Sequence, residues 1–417
     1  MIEAAGKDPS GEISRPPGAP EEVEALAAPL LARAISRAHR VRIKLHTCVE
    51  ALRQRASSPA VGIVGAYNTS NLGDLAMGAV LRGLARAEGL GSGVVSYANL
   101  GWFPEPRAAV LGGGGVITTH PSSSFARFVR RWGELADRTA LVGVSGELQP
   151  DECPDEVLEF LSRVPVWSAR SRHERDGFAA ATGRTDIAVQ PDITWAAPGV
   201  LELDLPERDA EKRVLGLNVT PVLMGCSGGR FRPGAVPSDW YRRHLPEEAA
   251  VYSSLGPGYV AAVREVVRGY RSRGWHVRCI PLALEDELFA RAVFDAREVE
   301  LAPYSLDVAA AIRRAAGCSR FVATRFHSHI FAMLAGVPVL SIAYSPKCEY
   351  LWRELGLPGG AQVRLIELAR EARAAAGKLI DSEPAALDDD ARDELRRESE
   401  EACLRGLRSV AVQADAG

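Results

Sequence analysis

RFVATRFHSHIFAMLAGVPVLSIAYSPK, residues 320–347, decides the fold. RFVAT has the length and β-branched content of a buried strand. FHSHIFAMLAG is an apolar run of helical character, and PVLSIAY is a second buried strand. The order strand, polar corner, helix, strand puts Arg325 and His327 where a strand ends and a helix begins. At that corner of an open α/β sheet, free backbone N–H groups and the helix dipole favour an anion. Arginine adds a fixed charge whose fork fits phosphate or carboxylate, and a histidine two residues on moves a proton near neutral pH.

The same alternation extends in both directions. VLGLNVT, HVRCIPLA and VELAPY precede the stretch as strands, separated by YVAAVREVVRGYRSRG, EDELFARAVFDAR and SLDVAAAIRRAA as helices. Upstream, VGIVGAY, GVVSYA, AAVLGG, TALVGVS, VPVWSAR and DIAVQPD form a first set, with LAMGAVLRGLARAEG and SSFARFVRRWGELAD among its helices. Repeated strand and helix predicts parallel sheets covered on both faces. The charged segment LELDLPERDAEKR, residues 201–213, reads as the linker between two Rossmann-like α/β domains that face each other across a cleft. The predicted boundaries are 58–205 for the amino-terminal domain and 212–357 for the carboxyl-terminal one. Residues 1–57 read as a disordered start followed by a helical prelude, in which Leu26, Leu30, Leu31, Ile35 and Val41 recur near helical spacing. Residues 358–417 read as a charged helical tail, and both helical ends are candidates for a homo-oligomer contact.

At 417 residues the chain exceeds one core and suits two domains of about 150 residues. A formal charge of −3 gives no reason to expect nucleic acid. No apolar run reaches the roughly 18 residues of a membrane span, and the first residues lack signal-peptide character, so a cytoplasmic protein is expected. Seven cysteines without a CxxC pair read as reduced, mostly buried thiols.

GAYNTSNLGDLAMGAVL sets Asn68, Asn71, Gly73 and Asp74 in a loop between strand and helix. Asn71 and Asp74 read either as helix caps or as groups that bond sugar hydroxyls or take a proton. In VLGGGGVI, Gly112 to Gly115 follow a strand directly and suit a sharp turn or close approach to a ligand. SARSRHERDGF places Arg170 nearest a strand end, and QPDITW places Asp192 and Trp195 near the next. The Gly-rich segment from Asn218 to Gly234 reads as one long loop whose Arg230 and Arg232 suit an anionic ligand. His327 and His329 form an HxH pair with no neighbouring cluster to complete a zinc site, so no metal is expected.

Taken in order, NLGD at Asn71 to Asp74, LGGGG at Leu111 to Gly115, SAR at Ser168 to Arg170, PD at Pro191 to Asp192, RFHS and GVPVLSIAYSPK resemble the polysaccharide pyruvyl transferase family. The resemblance implies a GT-B-like fold and transfer of a pyruvyl group from phosphoenolpyruvate to hydroxyls of a saccharide or glycosylated acceptor. It further implies phosphoenolpyruvate as co-substrate with no other cofactor. His327 is then the candidate acid and Asp74 the candidate base. Arg325, Ser328, Arg170 and Lys347 form the donor site, and Asn71, Gly113, Gly114 and Asp192 the acceptor site. Two departures stand out, Ser171 and Ser345, each a hydroxyl where many relatives carry a carboxylate. A GT-B glycosyltransferase using a nucleotide sugar, and a non-catalytic saccharide-binding or scaffold homologue, are the alternative readings.

Overall fold

The computed structural model describes residues 26–67, 69–118, 123–148, 153–206, 211–221, 223–227, 230–232 and 252–415. The predicted disordered start, residues 1–20, and Asn68 lie outside them. The chain enters through a two-residue strand β1 (Leu26–Ala27) and the 28-residue helix α1 (Leu30–Ser57). The first sheet is then laid down by β2 (Val61–Gly65), α2 (Leu72–Ala87), β3 (Ser92–Ser96), β4 (Ala108–Gly112), β5 (Gly115–Thr118), α3 (Ser124–Trp132), β6 (Thr139–Glu147), α4 (Asp155–Arg163), β7 (Val166–Ala169), α5 (Arg172–Thr182) and β8 (Ala188–Val189). Its order is β3-β2-β4-β6-β7-β8, with β5 also on β6, and every pairing is parallel.

Alternation along the strands explains both covered faces. Ile63 and Val110 join the apolar cluster under α2, while Val64 and Leu111, their neighbours, join the one formed with Phe125, Phe128 and Trp132 of α3. Strands buried on both sides read as unbroken apolar runs, as VGIVG and AAVLG do.

The second domain contains β9 (Val214–Leu217), β10 (Gly225–Ser227), β11 (Arg230–Arg232), α6 (Tyr252–Ser272), β12 (His276–Cys279), α7 (Leu284–Val293), β13 (Glu300–Leu301), α8 (Val308–Ala316), β14 (Arg320–Ala323), α9 (Phe326–Leu334), β15 (Val339–Ala343), α10 (Pro346–Glu354) and β16 (Gln362–Arg364). Its sheet, β13-β12-β9-β14-β15-β16, is also wholly parallel. The chain ends in α11 (Leu365–Arg370), α12 (Ala372–Asp381) and α13 (Asp389–Asp415). The expected architecture of two Rossmann-like, GT-B-like domains with helical extensions is present.

Two expectations need correction. Residues 358–417 are not wholly helical, because Gln362–Arg364 form the edge strand β16 on β15. Three residues are too short to show a period in sequence. The segment after Asn218 is not one open loop either: β10 and β11 pair antiparallel, and β11 pairs β1. Phe231 drives this local order, since it is fully buried against Phe289 while Arg230 on the same strand is exposed.

The last helix does more than cap an end. α13 leaves the second domain and lies on the first, burying Cys403, Leu407 and Val410 over its sheet. Gly406 permits the approach, because a Cβ there would lie 2.4 Å from Val142. Cys48, Cys153, Cys279, Cys318, Cys348 and Cys403 are free thiols, all but Cys48 buried. Among the described residues no helix is long and apolar enough to cross a membrane.

Candidate active site

The corner between β14 and α9 is fixed from below. Asn218, at the end of β9, accepts from Thr324 Oγ1 through its carbonyl at 2.7 Å and from the Arg325 amide through Oδ1 at 2.9 Å. Ser328, an expected donor contact, turns its hydroxyl inward to the Arg325 carbonyl at 2.6 Å. His329 is consumed structurally, bridging the Arg325 carbonyl and Ser341 Oγ at 2.9 Å each. Burial pulls its imidazole down to about 4, so the ring is neutral at pH 7.

The charge of Arg325 is already met within its own domain. Its Nε donates to both oxygens of the buried Asp286, at 2.9 and 2.7 Å, and its Nη2 to Glu285 at 2.9 Å. Burial opposes the charge, yet Asp286 and Glu285 together hold it more firmly than usual. Among the described residues Nη1 has no hydrogen bond. Asp286 and Glu285 escaped the sequence reading, although a cluster of acids at the first turn of a helix following a strand is a visible signal.

His327 reaches into the first domain. Its ring fills the space left by Gly73, where a Cβ would lie 1.9 Å from Nδ1 and 2.2 Å from Cγ. Nε2 stands 3.6 Å from Asp192 Oδ2, an ion-pair distance beyond hydrogen-bond reach, and no described group bonds it. Asp192 is almost wholly buried at the start of the short helix Ile193–Ala196, with Oδ1 accepting from the amide and hydroxyl of Thr194 at 2.9 and 2.6 Å. Burial pushes this carboxyl up, but His327, Arg170 and Thr194 outweigh it and leave it well below the usual range. It is therefore an anion beside the imidazole.

Arg170 is buried with its network complete. It donates to Ser145 Oγ at 2.8 Å, and lies 3.4 Å from both Glu174 and Asp192. Its guanidinium covers the Phe326 ring of the second domain at 4.2 Å. Ser171 is not a lost anchor. Its hydroxyl accepts from the Glu174 amide and donates to Glu174 Oε2 at 2.8 Å, so a carboxylate three residues on orients Arg170 from one side and Asp192 from the other. Ser345 is buried at the start of α10 and makes no side-chain capping bond.

Lys347 has no ion pair among the described residues. Its ammonium lies 4.9 Å from the Tyr344 ring centre and 5.9 Å from that of Phe326. With Arg170, Asp192, Phe326 and Tyr350 it lines a cavity of about 270 Å³ between the domains, roofed by Leu395 and Glu398 of α13.

On the first domain, Asn71 caps α2, accepting from the Gly73 amide at 3.1 Å. Asp74 sits in the first turn, with Thr69 Oγ1 donating to Oδ2 at 3.1 Å. Burial raises its carboxyl above the usual value despite His327, Thr69, Lys347 and Arg325. Gly113 and Gly114 both have left-handed φ, 67° and 73°. At Gly113 a Cβ would also strike Met77 Sδ at 2.0 Å, and Gly114 faces Asp74 Oδ1 at 3.8 Å. The turn and its packing thus account for Gly113 without a ligand, while Gly114 borders the carboxylate.

The structure therefore gathers His327, Asp192, Asp74, Arg170, Arg325 and Lys347 where the carboxyl ends of two sheets meet. Direct bonds hold the faces together: the Leu72 amide to the Leu282 carbonyl at 2.8 Å, Ser70 Oγ to Glu285 at 3.2 Å, and Tyr304 OH to the Ser70 carbonyl at 2.8 Å.

No curated protein matches the sequence. Among solved structures, the MnaA–UDP complex of S. aureus is 11% identical, covering 82% of this chain and 90% of its own, with a TM-score of 0.48. The putative UDP-N-acetylglucosamine 2-epimerase from Listeria monocytogenes is 12% identical over 80% and 93%, with a TM-score of 0.44. E. coli heptosyltransferase WaaC with ADP is 16% identical over 77% and 98%, with a TM-score of 0.34. The sequence profile of polysaccharide pyruvyl transferase matches residues 71–346, from the cap of α2 to the first residue of α10. Well over half of the chain lies within that match, and the chain belongs to the polysaccharide pyruvyl transferase family.

Proposed function

We propose that this chain transfers a pyruvyl group from phosphoenolpyruvate to hydroxyls of a saccharide or glycosylated acceptor, closing a ketal when two hydroxyls react. The observation that carries the reading is His327, held between Gly73 and the anionic Asp192 with Nε2 buried and unbonded, while Asp192 in turn lines a cavity bordered by Arg170 and Lys347. A histidine beside a buried carboxylate is a suitable acid, and Lys347, without an ion pair among the described residues, suits a substrate bearing phosphate and carboxylate.

His327 gives its proton to the methylene carbon of phosphoenolpyruvate, making a methyl group. Positive charge develops at the adjacent carbon and is shared with the enol oxygen. An acceptor hydroxyl adds to that carbon as Asp74 takes its proton, a task favoured by the raised carboxyl. The bond from carbon to the phosphate oxygen breaks, Lys347 stabilises the departing anion, and the second hydroxyl adds in its place. Of the two hydroxyl protons, one replaces that supplied by His327 and the other leaves with hydrogen phosphate. Asp192 steadies the imidazolium, and Arg325, fixed by Asp286 and Glu285, presents Nη1 to the donor.

Calorimetry with phosphoenolpyruvate, together with phosphate release in the presence of candidate glycosides, tests the reading on wild type, Arg325→Ala and His327→Ala. Expected are binding by wild type, weakened binding by Arg325→Ala, and binding without release by His327→Ala. Failure of wild type to bind at millimolar phosphoenolpyruvate overturns it; binding of a nucleotide sugar instead would assign glycosyl transfer.

A further inference from the structure

Helix α1 is mounted with its apolar side outward. The side that packs on the body carries Ala32, Ser36, Thr47, Ala51 and Gln54, and Gln54 donates to the Val94 carbonyl at 2.7 Å. On the opposite side Leu31, Ile35, Ala38, Leu45, Val49 and Leu52 follow one another at spacings of three, four or seven, which places them on one stripe. Leu31 is 72% exposed, Leu45 60% and Leu52 63%. Of the ten large apolar side chains exposed among the described residues, seven belong to this helix. Scattered exposed leucines need no explanation, but a continuous apolar stripe along a 28-residue helix does.

Charge identifies the occupant. α1 carries seven Arg and Lys against one acid, Glu50, in a chain whose formal charge is −3. At 100° per residue, Arg37, Lys44 and Arg55 flank the stripe on one side, His46 and Arg53 on the other, and Arg42 lies within it. A second copy of α1 laid on this face would bring arginines against arginines with a single glutamate per helix to offset them. Residues 1–25 contain four large apolar residues, Met1, Ile2, Ile13 and Val23, too few to cover the stripe. An anionic lipid surface meets both needs, because acyl chains accept the leucines while headgroup phosphates meet the long basic side chains on either flank. The seven charges exclude a spanning role and fit a helix lying in the interface.

We propose that α1 docks this protein peripherally on an anionic bilayer, with Leu31, Leu45 and Leu52 inserted below the headgroups and Arg37, Lys44 and Arg53 among the phosphates. The inference does not depend on the reaction catalysed.

The test is co-sedimentation of the full chain with vesicles of phosphatidylglycerol and phosphatidylcholine, against vesicles of phosphatidylcholine alone. Wild type is expected to bind the anionic vesicles at least tenfold more tightly, and to lose most binding between 50 and 500 mM salt. Leu45→Ser/Leu52→Ser, both exposed and so without effect on the melting temperature, is expected to reduce binding at least tenfold, as is Arg37→Glu/Lys44→Glu. Absence of binding by wild type overturns the proposal, as does equal binding by the serine variant. A dimer in solution that the serine variant abolishes, without vesicle binding, overturns it in favour of a second copy. Binding that appears only after deletion of residues 1–25 overturns it in favour of that segment as the occupant.

Discussion

The His327 ring stands where a side chain on Gly73 would be: a Cβ there would lie 1.9 Å from Nδ1. The glycine of NLGD and the histidine of RFHS come from different domains, so the fit exists only with the two domains together. Gly73→Ala is expected to force the ring or the domains apart. Overpacking of this kind costs about 1–3 kcal/mol. Phosphate release should fall at least 100-fold while phosphoenolpyruvate still binds, and Gly73→Ser should be no better. Activity within threefold of wild type would show that the ring contact is not needed.

Arg170 is expected to tolerate lysine poorly. Lysine lacks the fork that meets Ser145, Glu174 and Asp192 together and the plane that covers Phe326. Arg170→Met leaves Glu174 without its ion-pair partner and Asp192 with His327 alone, and should cost about 3–5 kcal/mol by urea denaturation. Adding Glu174→Gln should recover part of that loss, and a purely additive double variant would contradict the network.

Lys347 and Arg325 should separate in their effects. Lys347 has no ion pair among the described residues, so Lys347→Met is expected to weaken phosphoenolpyruvate binding about 10- to 100-fold with the melting temperature unchanged. Arg325→Ala strands Asp286, whose side chain is fully buried, and should cost about 3–5 kcal/mol of stability besides weakening binding. Calorimetry and thermal melting of the two variants side by side check this.

His329 makes stability depend on pH. Its folded imidazole is pulled down to about 4 by burial, below the unfolded value near 6.5. The unfolded chain then binds more protons between those limits. The contribution is complete above about pH 6.5 and fades as pH falls toward about 4, with a slope of at most about 1.4 kcal/mol per pH unit. Urea midpoints at pH 7, 6 and 5 should fall less for His329→Gln than for wild type, and parallel profiles would contradict the assignment.

Much of this was readable from sequence because strands covered on both faces are unbroken apolar runs. VGIVG, AAVLG, RFVA and VLSIA announce themselves in that way, and the corners after them follow. Arg325, His327, Asp74 and Arg170 were found because they sit at such corners. What stayed hidden depends on contact across the chain. Gly73 looks like any loop glycine until His327 is placed on it. Asp286 looks like an ordinary first-turn acid until Arg325 is bonded to it. Glu174 was hidden by a rule that looks for the partner of Arg170 at the next residue, whereas one helical turn brings it closer in space. Short β16 and the pairing of β1 with β11 carried no period to detect.

The described chain passes between the domains at three places: β1 pairs β11 of the second domain before α1 leads into the first sheet, the segment around residues 201–213 leads back, and α13 returns to the first domain. The two domains are therefore tied at several places along the chain rather than hung on one tether. Ser399 of α13 bonds the carbonyls of Asp192 and Ile193 at 3.1 and 3.2 Å. The last of these ties is fastened to the segment that carries Asp192, so the carboxyl-terminal helix and the carboxylate beside His327 are positioned together.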